Sequence, residues 1–415
     1  MGETVNIRSA MLLASALALS SCAAASEPVA GVPPTDAVAA EDRALHDRLL
    51  VLDSHLDSPM HFGRVGWDIT QRHSEAGDGT QLDLPRMVEG GLDGGFFVVY
   101  MPQGELTRDG YATSFADALR RTAAIHQTVA RHADAMMLAT TSDDARAAQA
   151  AGKRAVFISM ENGDPLGEDL SRLALFHGLG VRMAGPVHSR TNQLADAATG
   201  EAIWGGFSPL GRQWLAEMNR LGMIVDGSHA SDAVFDQMIA WSKAPIVLSH
   251  SGSKAIYDHK RNIDDARMKM LADHGGVILV NSVFLGPVNF GGELGDVLDE
   301  MDYIEDLSPA GQAALIARRS ALMKAHPPIT DDFDDYMRAL LHCIAVAGVD
   351  HVGIGADWDG GGGVAGMTDV AQLPRITAAL KAAGYADGDI AKIWGGNLMR
   401  VLDAVEAQAR RGDPR

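Results

Sequence analysis

The sequence predicts an α/β fold, a (β/α)8 TIM-like barrel. Short runs rich in Val, Ile, Phe and Met alternate with longer amphipathic stretches, and eight such runs can be counted. Polar groups suited to chemistry follow most of these runs, as they do at the carboxyl-terminal ends of barrel strands. Eight strands favour one closed barrel over two separate sheets, and a chain of 415 residues is long enough to form it.

The first 21 residues have the layout of an export signal. Arg8 precedes a short apolar run, Met11 to Leu19, which is too short to span a membrane. Leu19-Ser20-Ser21-Cys22 resembles a bacterial lipobox, and cleavage after Ala23-Ala24-Ala25 is the competing interpretation. We favour a lipoprotein signal with lipidation of Cys22, which predicts an exported protein that is periplasmic or attached to the membrane of the cell envelope.

The segment 22–44 is rich in Ala, Val and Pro and is predicted to be a linker to the folded region. We place the catalytic barrel at residues 45–410 and a short tail at 411–415. Only two cysteines exist, Cys22 and Cys343, so the protein does not depend on a disulfide framework. The net charge of -19 argues against a nucleic-acid partner.

The predicted strands are apolar runs of four to seven residues. They are Leu49 to Ser54, Gly95 to Tyr100, Ala155 to Met160, Val181 to Val187, Met223 to Ser228, Ile246 to Ser249, Val277 to Asn281 and Val352 to Ala356. A further strand outside the barrel is expected at Met136 to Thr140.

Helices are predicted where apolar residues recur at helical spacing between the strands. They are Asp117 to Ala130, Asp143 to Ala151, Pro209 to Leu221 and Ala230 to Trp241. A long acidic insertion, Phe284 to Asp332, separates the seventh and eighth strands. The sequence leaves open whether it is a lid or a helical contact in a homodimer.

The predicted strands end in groups that bind metals or transfer protons. Val51 to Asp57 ends in His-x-Asp, and residues two apart on extended backbone face one side, so His55 and Asp57 can share a metal ion. A lone His-x-Asp is more often structural, so the prediction depends on repetition. The other groups that follow strands are Glu161, His188, His229, His250 and Asp357.

Imidazole nitrogens and carboxylate oxygens are ligands that suit zinc, and this set exceeds what one tetrahedral catalytic ion needs. We therefore predict a binuclear site at the carboxyl-terminal face of the strands. A water that bridges two such ions has a lowered pKa and supplies hydroxide near neutral pH. The expected chemistry is hydrolysis.

Motifs spread from about Leu50 to Glu406 make the chain similar to a known family, the renal-type membrane dipeptidases of the amidohydrolase barrels. The matching segments are Asp53-Ser54-His55-Leu56-Asp57, Gln81-Leu82-Asp83-Leu84-Pro85-Arg86-Met87-Val88-Glu89-Gly90-Gly91, Asn219-Arg220-Leu221-Gly222-Met223-Ile224-Val225-Asp226, Ser249-His250-Ser251, His259-Lys260-Arg261-Asn262, His351-Val352-Gly353-Ile354-Gly355-Ala356-Asp357-Trp358-Asp359-Gly360 and Gly396-Asn397-Leu398-Met399-Arg400-Val401. Two departures are Pro186-Val187 before His188, where the family has Leu-Thr, and Trp358 in place of Phe.

The resemblance implies two Zn2+ per chain. His55 and Asp57 would bind the first ion, His229 and His250 the second, and Glu161 would bridge both.

The resemblance also implies the substrate-binding and catalytic groups. His188 would stabilise the oxyanion beside the substrate carbonyl, and Arg261 would bind the carboxylate of the dipeptide. Asp357 would take a proton from the bridging water and pass it to the leaving amine, and Glu161 would hold the ions.

These residues and the resemblance predict a zinc-dependent dipeptidase that cleaves dipeptides by attack of a metal-bridging hydroxide. The resemblance further implies that dipeptides with a C-terminal D-residue are accepted. One alternative is another metal-dependent amidohydrolase, such as a lactonase or phosphotriesterase, although Arg261 is not needed there. The other is a non-catalytic solute-binding lipoprotein, against which the complete ligand set and Asp357 argue.

Overall fold

The computed structural model describes residues 38–412, which form nine strands. They are β1 Leu52–Leu56, β2 Gly94–Tyr100, β3 Met136–Leu138, β4 Arg154–Glu161, β5 Val181–Ala184, β6 Ile224–Val225, β7 Val247–Ser251, β8 Val277–Val280 and β9 Val352–Ile354. All eight predicted strands are present. The additional strand, β3, is the strand predicted outside the barrel, and within the described residues it pairs only with β4.

Fifteen α-helices lie in the described part of the chain. They are α1 Ala40–His46, α2 Glu75–Asp78, α3 Leu84–Glu89, α4 Arg108–Arg131, α5 Ser142–Ala150, α6 Ser171–Gly178, α7 Pro209–Leu221, α8 Asp232–Trp241, α9 Asp265–Asp273, α10 Gly292–Met301, α11 Pro309–Ala325, α12 Phe333–Ala347, α13 Pro374–Ala382, α14 Asp387–Ala391 and α15 Asn397–Gly412. Helix α4 begins nine residues before its predicted start at Asp117, because the Thr107 side chain accepts the backbone N–H of Gly110 and caps an earlier turn.

The strands follow one another around a curled parallel sheet. One sheet has the order β1-β2-β4-β5-β6, and the other has the order β7-β8-β9. Two parallel bridges, Asp226 with Val247 and Leu56 with Trp358, join the edges of these sheets. Gly227 N–H donates to the Val247 carbonyl at 2.8 Å, and Asp57 N–H donates to the Trp358 carbonyl at 2.9 Å. This cyclic order is consistent with the predicted (β/α)8 barrel.

The core follows the alternation of side chains along the strands. Phe96 of β2 and Phe157 of β4 stack with ring centroids 4.9 Å apart, in a cluster that includes residues of α5 and α15. Their neighbours Phe97 and Ile158 belong to a second, larger cluster. Strands buried on both faces explain why these segments are continuous apolar runs.

Helix α1 begins at Ala40, inside the predicted linker 22–44, so the folded region starts before the predicted boundary at residue 45. The cause is packing: the buried His46 ring contacts Thr377 Oγ1 at 2.7 Å and the Gly90 carbonyl at 2.9 Å. Helix α15 likewise extends to Gly412, into the predicted tail. The signal segment 1–21, Cys22 and residues 413–415 lie outside the described residues.

The insertion Phe284 to Asp332 contains helices α10 and α11. These helices share a small apolar cluster that includes Val297, Met301 and Leu315, with Met60 packed against it. Met60 belongs to the 3-10 turn Ser58–His61 that follows β1, so the insertion is anchored beside a strand end. No helix within residues 38–412 is long and apolar enough to cross a membrane.

Candidate metal centre

The structure brings all five predicted metal ligands together at the carboxyl-terminal ends of the strands. His55 lies near the end of β1, Glu161 is the last residue of β4 and His250 lies within β7. Asp57 and His229 lie in the loops after β1 and β6. His55 is therefore inside its strand, one residue beyond the predicted strand end at Ser54, and Asp57 has left the extended backbone.

One oxygen of Glu161 faces two histidines. Glu161 Oε1 lies 3.0 Å from His229 Nε2 and 3.3 Å from His250 Nε2. The two Nε2 atoms are 2.8 Å apart. These three atoms form a compact triangle of donors.

The other oxygen of Glu161 faces a second group. Glu161 Oε2 lies 3.6 Å from His55 Nε2, which is 3.2 Å from Asp57 Oδ2 and 4.0 Å from Asp357 Oδ1. Glu161 thus presents one oxygen to each group, which is the arrangement that a bridging carboxylate requires.

The donor atoms fit metal ions. Zinc binds imidazole nitrogen and carboxylate oxygen at about 2.0–2.2 Å in tetrahedral geometry, which places neighbouring donors roughly 3.3–3.6 Å apart. Asp57 Oδ1 and Glu161 Oε1 are buried without a hydrogen-bond partner among the described residues. Buried polar atoms without partners are costly, and a cation between the donors would satisfy them.

The His250 ring is oriented by a hydrogen bond at Nδ1, the ring nitrogen that does not face Glu161. Ser249 Oγ lies 2.5 Å from Asp226 Oδ2 and 2.9 Å from His250 Nδ1. The carboxylate can only accept, so the serine hydroxyl donates to Asp226 and accepts from Nδ1–H. This leaves a lone pair on Nε2, the atom that faces Glu161. The sequence left the role of Asp226 open, and the structure shows it buried behind a ligand.

Asp53 fixes the backbone on either side of the site. Its carboxylate accepts the backbone N–H groups of His55 at 2.9 Å and Ala356 at 3.1 Å. The first positions a predicted ligand, and the second positions the residue before Asp357. Asp357 and His229 have positive φ values, 70° and 65°, and such strained backbone is common at functional sites.

His188 and Asp357 both border the donor groups. The His188 ring lies 4.2 Å from that of His229, and its Nδ1 lies 3.1 Å from Ser189 Oγ and 3.5 Å from the Tyr100 hydroxyl. Burial lowers the pKa of His188, so the imidazole is neutral at pH 7. Burial raises the pKa of Asp357 to about 7, although His55 opposes the rise.

Arg261 is buried beside the cluster. Its Nη2 donates to the His250 carbonyl at 3.3 Å, and its Nε has no partner among the described residues. Burial lowers the pKa of this guanidinium to about 10, which still leaves it charged at neutral pH. A buried cation with spare donors suits a carboxylate ligand.

These groups border a cavity of about 320 Å3. The insertion supplies part of its wall, including Phe290, Asp299, Met301 and Asp302. The insertion therefore covers the site, as a lid would; a contact with a second subunit remains an open prediction.

Sequence reasoning missed several residues of the site. Tyr100 is the last residue of β2, so the same strand-end argument could have found it. Asp53 begins the motif Asp53 to Asp57, and its buried hydrogen bonds to the backbone of His55 and Ala356 reveal its positioning role. Asp302 carries no sequence signal, since only the fold of the insertion brings it to the cavity.

The sequence profile of the membrane dipeptidase family, peptidase family M19, matches residues 39–413. The chain belongs to this family. Dipeptidase tcpJ of Claviceps purpurea (strain 20.1) is 31% identical over 363 residues, which cover 85% of this chain and 76% of that protein. Dipeptidase aclJ of Aspergillus oryzae is 28% identical over 348 residues, which cover 80% of this chain and 71% of that protein.

Solved structures agree with this membership of the membrane dipeptidase family. The probable dipeptidase PvdM from Pseudomonas aeruginosa has a TM-score of 0.76 at 30% identity, covering 89% of this chain and 98% of that chain. A metallopeptidase from Rhodobacter sphaeroides, liganded with a phosphinate mimic of the dipeptide L-Ala-D-Ala, has a TM-score of 0.68 at 27% identity, covering 86% of this chain and 99% of that chain. The predicted family and enzyme class, a metal-dependent hydrolase of the dipeptidase type, are confirmed.

Proposed function

We propose that this protein is a dipeptidase that uses two zinc ions, one held by His55 and Asp57, the other by His229 and His250, with Glu161 shared between them. The observation that carries the proposal is that the two oxygens of Glu161 face different groups. Oε1 faces His229 and His250, and Oε2 faces His55. Bound zinc would supply Lewis-acid polarisation of the substrate and a hydroxide nucleophile at neutral pH.

The substrate carboxylate binds Arg261. A dipeptide carries one free carboxylate next to its only peptide bond. A fixed cation beside the proposed zinc ligand His250 therefore selects short peptides. The buried guanidinium with an unused Nε donor supports this role. Lactones and phosphotriesters lack that carboxylate, which is why we favour a peptide substrate.

His188 stabilises the negative charge that develops on the substrate carbonyl oxygen. The hydroxyls of Ser189 and Tyr100 both lie near His188 Nδ1 and can donate to it. Nε2 then carries the single proton of the neutral ring and donates it as a hydrogen bond.

Asp357 moves the proton. Its carboxylate accepts a proton from the attacking water and returns it to the nitrogen of the leaving amine, so the peptide C–N bond breaks as a neutral amine forms. A pKa of about 7 suits both steps, because general acid–base catalysis is most efficient when the group titrates near the working pH.

The substrate range includes dipeptides that end in a D-residue. The similar Rhodobacter sphaeroides structure, which holds a mimic of L-Ala-D-Ala, supports this part of the proposal. We also propose export and lipidation at Cys22, which the signal layout supports. Incorporation of labelled fatty acid into the full chain, lost in Cys22→Ser, tests that assignment.

The test of the proposed function is release of free amino acids from L,L and L,D dipeptides by zinc-loaded protein, with Asp357→Asn alongside. We expect turnover by the wild type and a loss of about 10^2- to 10^4-fold in the variant, with unchanged zinc content. No turnover of any dipeptide, despite two bound ions, would move the assignment to another amidohydrolase substrate. Tight binding of dipeptides without turnover would indicate a solute-binding protein.

A further inference from the structure

The insertion places a carboxylate in the wall of the cavity. Asp302 directly follows α10 and lines the same cavity as Glu161 and Arg261. Among the described residues, no side chain is hydrogen-bonded to this carboxylate or lies within ion-pair distance of it. The nearby Arg121 instead donates Nη2 to the backbone carbonyl of Asp302, at 3.3 Å, and lies 3.7 Å from Glu305.

The surroundings of Asp302 are acidic. Burial raises the pKa of Asp302 to about 7, and the charge of Arg121 does not offset this rise. Asp299, Asp57 and Glu161 add to the rise, since each places another negative charge nearby. Bound zinc would offset the charges of Asp57 and Glu161, which are proposed ligands. A cationic group of the substrate beside Asp302 would favour the ionised form of this carboxyl group.

Arg261 is a charged group of the same cavity, whose wall also includes Arg121 and Arg319. The acidic groups that act on Arg261 are Glu161, Asp357 and Asp226, whereas Asp57 and Asp299 act on Asp302 with Glu161. Apart from Glu161, the acidic groups that act on Arg261 and on Asp302 are different, and both side chains line the same cavity. A dipeptide matches this pattern, because its ammonium and carboxylate groups flank a single peptide bond and lie within about 7 Å of each other.

We propose that Asp302 binds the α-ammonium group of the substrate, opposite the carboxylate at Arg261. This inference rests on the proposed dipeptidase function and names the group that recognises the free amino terminus. Acylated or longer peptides that present no ammonium at this position lose the contact. The insertion then completes the substrate site as well as covering it.

Two phosphinate analogues of Ala-Ala test the assignment, one with the amino group and one with hydrogen in its place. Calorimetry of the zinc-loaded protein should give tighter binding of the amino compound by about tenfold or more. Asp302→Asn should remove this preference and leave the affinity for the des-amino compound unchanged. Asp302→Glu should restore part of the preference.

Two other substitutions serve as matched controls. Asp296→Asn removes the same charge from the exposed face of α10 and should keep the wild-type preference. Asp299→Asn removes the neighbouring cavity carboxylate and should also keep it. Zinc content and melting temperature, measured for every variant, show that a change in affinity does not come from unfolding.

The outcomes separate the two claims. Retention of the amino preference in Asp302→Asn, or its loss in Asp299→Asn instead, would overturn the role of Asp302 while dipeptide hydrolysis by the wild type stands. If the wild type neither binds the phosphinates nor hydrolyses dipeptides, the proposed function fails and the role of Asp302 fails with it.

Discussion

Ser249 contributes to the metal centre through the tautomer of a neighbouring ring. Its hydroxyl links Asp226 to His250 Nδ1 and so keeps the lone pair of Nε2 toward Glu161. His55 and His229 have no partner at Nδ1 among the described residues, so this constraint acts on one ligand alone. We therefore propose that this hydroxyl, which lies behind the ligand, tunes the affinity of the proposed zinc position at His250.

Ser249→Ala should weaken zinc binding by about 10- to 100-fold, because the His250 ring loses the hydrogen bond that fixes its tautomer. Competition with a chromophoric chelator measures this affinity. Ser228→Ala is the control, since the Ser228 hydroxyl accepts the backbone N–H of His250 and does not contact its ring nitrogens. Equal zinc affinity in Ser249→Ala and wild type would contradict the orienting role.

At the scale of elements, helix α1 is attached through the ring of His46. The indole of Trp394 donates to Thr377 Oγ1 at 2.8 Å, so the threonine hydroxyl is free to donate to His46 Nδ1. His46 Nε2 then donates to the Gly90 carbonyl. This chain of bonds is satisfied by a neutral ring, and burial lowers the pKa of His46 to about 4.

The titration of His46 predicts how stability depends on pH. The unfolded chain takes up a proton near pH 6.5, whereas the folded chain does so only near pH 4. The contribution is therefore fully present above pH 6.5 and is lost as the pH falls toward 4. Between pH 7 and pH 5, wild type should lose about 2 kcal/mol of unfolding free energy more than His46→Gln does.

Urea unfolding of both proteins at the two pH values measures this difference, and their shared metal site cancels in the comparison. His326→Gln removes an exposed imidazole instead and should behave like wild type. The same pH dependence in His46→Gln and wild type would show that the buried ring does not titrate in this way.

At the scale of the whole molecule, the apolar runs predicted eight strands of the curled parallel sheet because these strands are largely buried on both faces. The ligands were predictable for a related reason: His55, Glu161 and His250 come at the ends of such runs. Strand lengths were not predictable, as β6 shows, since only Ile224 and Val225 find a pairing register with β5.

The position of the insertion also depends on contacts that are remote in sequence. Met60 packs against the cluster around Val297 and Met301, more than 200 residues away. No local pattern around Asp302 indicates that the fold will bring it to the same cavity as Arg261. Sequence therefore located the chemical groups of the strands and left the groups of the insertion unassigned.

The metal centre joins strands from both sheets, so metal removal should affect the stability of the entire fold. A ligand present at about 1,000 times its Kd stabilises the folded state by about 4 kcal/mol. Chelation should accordingly lower the melting temperature by several degrees, and added zinc should restore it. Glu161→Gln should reduce this zinc-dependent rise, and an unchanged melting temperature on chelation would contradict a shared site.

The position of helix α1 affects how the cavity would be oriented relative to a membrane anchor. Helix α1 precedes β1 and contacts the loop before β2, so it lies at the amino-terminal ends of the strands, while the ligands lie at the opposite ends. If Cys22 carries the proposed lipid, the chain leads from it into the described residues at helix α1, on the face opposite the ligands. The mouth of the cavity would then open away from the membrane, toward peptides diffusing in the surrounding compartment.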